Sequence, residues 1–315
     1  MKILLTGATG FIGRNILDFL GNHEVFCLVR NSEKYARVRR KNTTPIYCDI
    51  REEIPSLPDV SVIIHNAGLI RGAKKEYYEV NTGGTYRLLE KARAVNGLKK
   101  FIYVSSQAAA GPAEGETPKK ATDEENPISD YGRSKLLAEK KVKESGLPYL
   151  ILRPSAVYGP GDRDIFTVFK MVKNGLVFIP AGVRYANFIN VLDVCGGILR
   201  AAETSLVNRT FFLLHPEVLS FEDFARAVAL KMRKKINIVK VPVPVVYGAG
   251  FLFSAAAFFS GKPALLNIQK IREITAKLWI ADPEGMLSEL GYKPLYDISS
   301  GVSLTLDWYR KKGWL

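Results

Sequence analysis

Through the first half of the chain, short apolar runs alternate with segments in which apolar residues recur at helical spacing. Runs typical of buried parallel strands lie at 2–5, 25–29, 46–48, 61–65, 101–104 and 149–153. Helices are predicted directly after the first run, from about 78 to 95, and around 131–135. This alternation predicts right-handed β–α–β units and hence an α/β, Rossmann-type fold with a doubly wound parallel sheet.

The alternation loosens after the turn-rich segment 158–162. Two runs at 188–191 and 210–213 are typical of strands that return to a sheet, and the chain from about 215 is mostly helical. We therefore predict a Rossmann core at 1–160, with returning strands near 187–214. Residues 161–186 and 215–315 are predicted to form a smaller, mostly helical C-terminal lobe that binds the substrate.

A glycine-rich turn separates the first predicted strand from the first predicted helix. Its sequence, TGATGFIG, spaces three glycines at intervals of three residues. Glycines at such a turn let the backbone approach a pyrophosphate, which then lies against the N–H groups of the helix N-terminus. A tight loop that binds nothing is the alternative, but the position between strand and helix favours a dinucleotide site. The predicted contacts are Gly7, Thr9, Gly10, Phe11, Ile12 and Gly13.

The end of the second predicted strand bears on which dinucleotide is bound. Dinucleotide folds usually carry an Asp or Glu near this point to hold the ribose hydroxyls, whereas an Arg accommodates a 2′-phosphate. This chain has Arg30, followed by a basic segment at 34–41. We therefore favour NADP(H), with NAD(H) as the alternative; a solvated basic helix would explain the segment without a ligand. Asp49 and Ile50, after the next strand, are predicted to lie at the adenine ring.

Two further segments are predicted to reach the other half of the cofactor. The small-residue turn formed by Asn66, Ala67 and Gly68 follows the fourth strand and suits a close passage beside the cofactor. Tyr131 and Lys135 are four residues apart on a helix, so both side chains project from one face. A nearby ammonium favours the phenolate, so we expect Lys135 to lower the pKa of Tyr131 from about 10 toward neutrality. Such a tyrosine can transfer a proton to or from a substrate oxygen.

These motifs occur together and in order. TGATGFIG, the NAG at 66–68, the SS at 105–106, YGRSK at 131–135, RPSAVYGPGD at 153–162 and the chain end from 291 resemble the extended short-chain dehydrogenase/reductase superfamily, the NAD(P)-dependent epimerases and dehydratases. The resemblance implies a nicotinamide cofactor and a catalytic triad. Tyr131 would be the acid/base, Lys135 would hold the nicotinamide ribose, and Ser106 would orient the substrate. Asn81, which would support the lysine through a water, and Pro154 complete the implied cofactor site.

Two positions bear on the type of reaction within this superfamily. Its sugar-nucleotide dehydratases place an Asp–Glu pair after the catalytic Ser or Thr, where this chain has Gln107 and Ala108. Its sugar-nucleotide epimerases tend to carry an Asn three residues after the arginine that matches Arg153, where this chain has Ala156. Dehydration is therefore disfavoured, and the local pattern is similar to 3β-hydroxysteroid dehydrogenases and dihydroflavonol reductases.

We therefore predict an oxidoreductase that interconverts a ketone and a secondary alcohol on a small, fairly apolar substrate with NADP(H). A sugar-nucleotide epimerase that uses NAD is the alternative, and the basic residues of the small lobe would suit its diphosphate. A non-catalytic NADP(H)-binding sensor or scaffold is a third hypothesis, which the complete triad disfavours.

Net charge and composition limit the classes of molecule that this protein is expected to bind. The formal net charge of +14 suits an anionic cofactor, an anionic substrate or an acidic membrane surface, whereas no motif of a nucleic-acid reader is found. The three cysteines and three histidines lack metal-ligand spacing, and dispersed cysteines favour a reducing, cytoplasmic location. Formation of a homodimer is left open.

Residues 241–261 form an uncharged stretch between basic flanks. Its length permits a membrane span, but Pro242, Pro244, Gly248 and Gly250 interrupt its first half. A buried helix of the small lobe is the purely structural explanation. An apolar lid over the substrate and a helix lying in a membrane surface are the functional ones, so peripheral membrane contact is an open prediction.

Overall fold

The computed structural model describes residues 1–182, 184–248, 250 and 268–315. The strands are β1 (Lys2–Thr6), β2 (Glu24–Val29), β3 (Thr43–Tyr47), β4 (Val62–His65), β5 (Lys100–Val104), β6 (Tyr149–Pro154), β7 (Ala156–Tyr158), β8 (Leu176–Pro180), β9 (Tyr185–Asn190), β10 (Arg209–Leu213), β11 (Val218–Ser220), β12 (Asn237–Val241) and β13 (Leu278–Trp279). The helices are α1 (Phe11–Phe19), α2 (Ser32–Ala36), α3 (Lys74–Tyr77), α4 (Gly84–Ala92), α5 (Gln107–Ala110), α6 (Asp130–Lys143), α7 (Phe166–Lys173), α8 (Val191–Glu203), α9 (Phe221–Met232), α10 (Ile268–Thr275) and α11 (Ile298–Lys311). Two π-helical turns lie at Tyr78–Gly83 and Gly285–Glu289.

A seven-stranded parallel sheet organises the first part of the molecule. Its strand order is β10-β6-β5-β4-β1-β2-β3, and every neighbouring pair is parallel. The chain runs outward from β1 to β3, crosses back to β4, and then continues to β5, β6 and β10. This reversal makes the carboxyl ends of β1 and β4 the topological switch point, where open α/β sheets bind ligands. The predicted Rossmann-type, doubly wound sheet is confirmed.

Helices cover both faces of this sheet, which explains why its central strands are continuously apolar. In β1, Ile3 and Leu5 belong to the core formed with α1 and α8 on one face. Leu4, between them, belongs to the core formed with α4 and α6 on the other face. All three side chains are fully buried.

The second half of the chain builds a further hydrophobic core. β9 pairs with β7, β11 and β13, and β8 pairs with β12 in a two-stranded parallel sheet. The helices α7, α9 and α11 pack against these strands; the ring of Phe188 stacks on Phe224 with a centroid distance of 4.6 Å. Of the two predicted returning strands, β10 extends the main sheet beside β6, whereas β9 lies in the second sheet. The division of the chain into two lobes remains a prediction.

The uncharged stretch 241–261 begins at the end of β12 and continues into helical turns at 243–248. From 251 onward it lies outside the described residues, so the lid, the interfacial helix and the buried helix all remain predictions. Within the part of the chain that the structure describes, no helix is both long enough and apolar enough to cross a bilayer.

A buried ion pair joins α6 to β6. Arg153 is fully buried, and its Nε and Nη2 atoms donate to the two carboxylate oxygens of Glu139 at 3.0 and 2.6 Å. Nη2 also donates to Glu125 at 2.8 Å. Glu139 accepts a further hydrogen bond from the Ser105 hydroxyl, next to the predicted catalytic Ser106. Since Arg153 and Ser105 lie on other elements, the sequence analysis did not identify Glu139.

We expect Glu139→Gln to lower the free energy of unfolding by about 3–5 kcal/mol, because Arg153 would keep a buried charge without its main carboxylate. The matched control is Glu144→Gln, because Glu144 directly follows the last residue of α6. Glu144 is exposed and pairs with Lys141 at 2.9 Å, so its loss should cost less than about 1 kcal/mol. Urea unfolding measures both changes. Equally small losses would show that Arg153 does not depend on Glu139.

Candidate active site

The glycine-rich turn lies where the carboxyl ends of β1 and β4 meet. Gly7 has a φ of +74°, and a Cβ there would lie 2.7 Å from the backbone nitrogen of Ala67. A Cβ on Gly13 would lie 1.9 Å from the carbonyl oxygen of Gly7. Both positions therefore require glycine, and the turn packs directly against the segment that begins at Asn66.

The start of α1 suits a phosphate group. Gly10 precedes the helix, no side-chain hydrogen bond caps it, and its first turn carries no acidic residue. The backbone N–H groups of Phe11, Ile12 and Gly13 belong to the first turn, where helix N–H groups have no acceptor within the helix, and they present the positive end of its dipole. Thr9 lies half-buried in the same turn. The structure thus brings together the six residues predicted for this turn.

A buried chain of hydrogen bonds fixes the strand ends behind the turn. The Thr85 hydroxyl donates to the carbonyl oxygen of Asn81 at 2.5 Å, so it accepts from Nε2 of His65 at 2.9 Å. This assigns the Nε2–H tautomer to His65, and its Nδ1 accepts from the Thr6 hydroxyl at 2.7 Å. The Thr6 oxygen in turn accepts from the N–H of Ala67 at 3.0 Å. One neutral imidazole therefore connects β1, β4 and α4.

Tyr131 and Ser106 meet although they lie on different elements. Ser106 follows β5 and caps α5, where its Oγ accepts from the N–H of Ala108 at 3.1 Å. Tyr131 lies in the first turn of α6, which packs closely on α5: a Cβ on Gly132 would lie 2.3 Å from the carbonyl oxygen of Ala108. Burial raises the pKa of Tyr131, and a hydrogen bond with the Ser106 side chain partly opposes the rise.

Lys135 lies one turn beyond Tyr131. Its Nζ donates to the carbonyl oxygen of Val104 at 2.7 Å and lies 4.3 Å from the ring centroid of Tyr103. Burial lowers the pKa of Lys135 to about 7, although the charge of Glu139 raises it. The expectation that Lys135 lowers the pKa of Tyr131 is therefore wrong for this structure. Burial dominates that pKa, and a lysine titrating near pH 7 is only partly charged at neutral pH.

Asn81 links the first π-helical turn to α6. Its Nδ2 donates to the Ser134 hydroxyl at 2.9 Å and to the carbonyl oxygen of Leu69 at 3.1 Å, and its Oδ1 accepts from the N–H of Leu69 at 2.7 Å. A Cβ on Gly68 would lie 3.2 Å from Asn81 Oδ1 and 3.6 Å from Lys135 Nζ. Gly68, Asn81 and Lys135 therefore surround one point. Support of the lysine by Asn81 through a water remains a prediction.

The predicted adenosine residues gather after β2 and β3. Arg30 follows β2 with 64% of its side chain exposed, and its Nη1 lies 3.7 Å from an Asp49 carboxylate oxygen. Arg51 also binds this carboxylate, at 2.7 Å from Nη2, and its hydrogen bond is the main reason why the pKa of Asp49 is lowered. Ile50 packs under α4, where a Cβ on Gly84 would lie 2.8 Å from its Cδ1. The sequence analysis missed Arg51.

Polar atoms without partners lie at the ends of β5 and β6. Pro154 ends β6, and Ser155 follows it. The Ser155 Oγ and the Nε2 of Gln107, which follows Ser106, are buried and have no hydrogen-bond partner in the described parts of the chain. Buried polar groups of this kind are normally satisfied by a ligand or an ordered water. With the open glycine turn, these atoms fit a dinucleotide and a polar substrate group along this edge of the sheet.

The C-terminal part of the chain contacts the first turn of α6. Ser129, which caps α6, donates from its Oγ to Glu273 at 2.6 Å. The side chain of Gln269 hydrogen-bonds both the backbone N–H and the carboxylate of Asp130. Helix α10 therefore holds the turn that carries Tyr131. The local sequence pattern does not predict this contact, because Gln269 of α10 lies 139 residues from Asp130 along the chain.

The fold and the site match a known enzyme family. The model of the NAD dependent epimerase/dehydratase family matches residues 3–212. The chain belongs to this family, and it is an enzyme of the extended short-chain dehydrogenase/reductase type, an NAD-dependent epimerase/dehydratase-type oxidoreductase.

Individual relatives act on different substrates. The chain is 27% identical to a ceramide reductase from Caulobacter vibrioides over 99% of this chain and 96% of the relative. It is 28% identical to a UDP-glucose 4-epimerase from Vibrio cholerae over 96% and 94% of the two chains. The solved UDP-glucose 4-epimerase of Thermotoga maritima with UDP-glucose has a TM-score of 0.79 at 24% identity and covers 99% of both chains. The predicted superfamily and enzyme class are therefore confirmed.

The buried His65 predicts a pH dependence of stability. Burial lowers its pKa to about 3, so between that pH and 6.5 the unfolded chain binds a proton that the folded chain does not. Stability should therefore fall as the pH falls below 6.5. We expect the slope of unfolding free energy against pH to be steeper by up to about 1.4 kcal/mol per pH unit in the wild type than in His65→Gln.

Urea unfolding between pH 4 and 7 measures both slopes. His23→Gln is the control, since His23 lies near the surface beside the chain's amino terminus and the variant keeps His65. Burial also lowers the pKa of His23, so the slope of this variant should lie slightly below that of the wild type but well above that of His65→Gln, which loses the fully buried imidazole. Equal slopes for the wild type and His65→Gln would mean that the folded protein accepts the proton.

Proposed function

We propose that this enzyme interconverts a ketone and a secondary alcohol on a fairly apolar small molecule, with NADP(H) as the cofactor. The observation that carries the proposal is the convergence of Ser106, Tyr131 and Lys135 beside the glycine-rich turn. Each comes from a different element or helical turn, and all three lie at the carboxyl edge of the parallel sheet, where such folds bind ligands.

Tyr131 and Ser106 act on the substrate oxygen. The bound nicotinamide supplies a hydride in reduction and accepts one in oxidation. In reduction, Tyr131 donates its proton to the carbonyl oxygen, while the Ser106 hydroxyl donates a hydrogen bond to the same oxygen. The raised pKa of Tyr131 keeps the phenol protonated at neutral pH, which suits a proton donor.

Lys135 holds the nicotinamide ribose with Asn81 and Gly68 beside it. Its pKa of about 7 makes its charge responsive to neighbouring groups. The negative charge of a bound dinucleotide would favour the ammonium form, which would donate hydrogen bonds to the ribose hydroxyls.

The remaining predicted residues hold the rest of the cofactor. Arg30 binds the 2′-phosphate of NADP(H), since its guanidinium is largely exposed although Asp49 lies 3.7 Å away, and the end of β2 itself carries Arg30 in place of an Asp or Glu. The diphosphate lies on the start of α1. The other contacts are Gly7, Thr9, Gly10, Phe11, Ile12, Gly13, Asp49, Ile50, Asn66, Ala67 and Pro154.

Two observations support an apolar substrate. The likeness to a ceramide reductase extends over nearly the full length of both proteins, and ceramide is a lipid. Ala156, at the start of β7, presents a methyl group where an amide would be needed to hydrogen-bond a diphosphate.

A sugar-nucleotide epimerase that uses NAD is the second candidate. It is supported by the likeness to the epimerase from Vibrio cholerae. A panel of lipid-like ketones, steroid ketones and UDP-sugars distinguishes the two candidates. Turnover of a UDP-sugar without net consumption of cofactor would establish the epimerase and overturn the ketone reductase.

Tyr131→Phe tests the catalytic assignment. It removes the hydroxyl group whose proton the mechanism transfers, so we expect kcat to fall by roughly 10²–10⁴-fold with little change in cofactor affinity. Tyr86→Phe is the matched control, because Tyr86 is half exposed on α4. Steady-state kinetics and a cofactor titration measure both effects. Wild-type turnover by Tyr131→Phe would remove Tyr131 from the mechanism.

Arg30→Ala tests the choice of cofactor. We expect the wild type to bind NADPH more tightly than NADH, and the variant to lose about ten- to a hundredfold in NADPH affinity, the scale of a hydrogen bond to a charged group. NADH affinity should hardly change. Lys41→Ala is the control, since Lys41 precedes β3 and so lies toward the amino edge of the sheet. Calorimetric titration measures these affinities. Equal wild-type affinities for NADPH and NADH would contradict the assignment of Arg30 to the 2′-phosphate.

A further inference from the structure

The positive charge of this protein is concentrated in two segments of the second half. Residues 224–272 contain nine Lys and Arg and no Asp or Glu, and residues 165–192 contain three Lys and Arg and no Asp or Glu. The two segments meet where β12 pairs with β8. These segments therefore carry much of the net charge of +14, on cations to which the proposed active site assigns no role.

The two-stranded sheet in this region has one buried face and one apolar face turned to solvent. Val177 is buried, and its register partner Ile238 packs against the core of α7, α9 and α11. On the opposite face Phe178 pairs with Val239, and their exposed fractions are 51% and 39%. Leu176, two residues before Phe178 and hence on the same side, is 39% exposed. We call these three residues the outer face of the pair.

Cations flank the outer face where the two strands begin. Lys173 ends α7, just before the turn into β8, and Lys235 lies two residues before β12. The two approaches are joined by a hydrogen bond from the N–H of Asn237 to the carbonyl oxygen of Gly175 at 2.9 Å. Arg233, Lys234, Lys235 and Lys173 are exposed and form no ion pair with a carboxylate in the chain as described.

We propose that the outer face of the β8–β12 pair and its flanking cations bind the surface of a bilayer that contains anionic lipids. Exposed aliphatic and aromatic side chains enter the boundary between headgroups and acyl chains, while Lys and Arg contact the phosphates.

The combination of positive charge and exposed apolar side chains favours a lipid surface over a second copy of this chain or a nucleic acid. A symmetric contact with a second copy would bring two equally cationic regions together, and like charges in a shared interface repel. A nucleic acid would also attract the cations, but exposed Leu and Val side chains contribute nothing to binding a phosphate backbone. An anionic bilayer can bind both parts of this surface: its acyl chains contact the apolar side chains and its phosphates contact the cations.

Vesicle co-sedimentation of the full-length protein tests the proposal. We expect binding to vesicles of phosphatidylcholine with phosphatidylserine, little binding to phosphatidylcholine alone, and weaker binding as salt is raised. The triple variant Arg233→Gln, Lys234→Gln, Lys235→Gln should bind roughly a hundredfold more weakly, about fivefold for each cation. The triple variant Arg39→Gln, Lys41→Gln, Lys140→Gln removes as much charge from exposed positions of the dinucleotide-binding half and should bind like the wild type.

Phe178→Ser tests the apolar part separately. It should weaken vesicle binding at least about tenfold while leaving the salt dependence unchanged, because the cations remain. Circular dichroism and the melting temperature verify that each variant is folded. The assay needs no substrate or cofactor, so it is independent of the proposed reaction.

Several results overturn the lipid assignment. They are equal binding to neutral and anionic vesicles, equal losses in the two triple variants, and binding to a DNA or RNA duplex but not to vesicles. A dimer in sedimentation equilibrium that Phe178→Ser dissociates would instead make the outer face an interface between two copies of this chain.

Discussion

Thr6, His65 and Thr85 form a buried hydrogen-bonded chain, and the position of the glycine-rich turn against the segment from Asn66 to Gly68 depends on it. It holds the carboxyl ends of β1 and β4 together at the point where the sheet reverses its order. Only because these ends are so close does Gly7 contact the backbone of Ala67, so that the glycine-rich turn and the Asn66–Gly68 segment form one surface. A charged imidazole would need the Thr6 hydroxyl to turn its proton away and accept from Nδ1–H, so protonation would change the present donor and acceptor roles in this chain.

Buried charge is the second organising feature. Helix α6 carries Tyr131, Lys135 and Glu139 on successive turns; Lys135 and Glu139 are buried, and Tyr131 is partly buried. Glu139 neutralises Arg153 and at the same time raises the pKa of Lys135 against the effect of burial. The stability of the helix–sheet contact and the charge state of the proposed catalytic lysine therefore depend on the same carboxylate.

The molecule separates two uses of positive charge. At the proposed dinucleotide site the cations lie singly: Arg30 is at the end of β2 and Lys135 is beside Gly68. In the second half, exposed cations are grouped beside an apolar strand pair and have no carboxylates in their segments. The first arrangement suits recognition of one small anion at a fixed position, whereas the second suits an extended anionic surface.

The sequence by itself determined the features that depend on local spacing. The apolar runs predicted the parallel sheet because its strands are covered on both faces, and the glycine spacing predicted the turn because a Cβ at Gly7 or Gly13 would collide with backbone. Tyr131 and Lys135 were found because a helix repeats about every four residues. Only the tertiary structure decided the tautomer of His65, the role of Glu139, the contact of α10 with α6, and the raised pKa of Tyr131. Each of these depends on burial or on contacts between residues far apart in the chain, and a local pattern of residues shows neither.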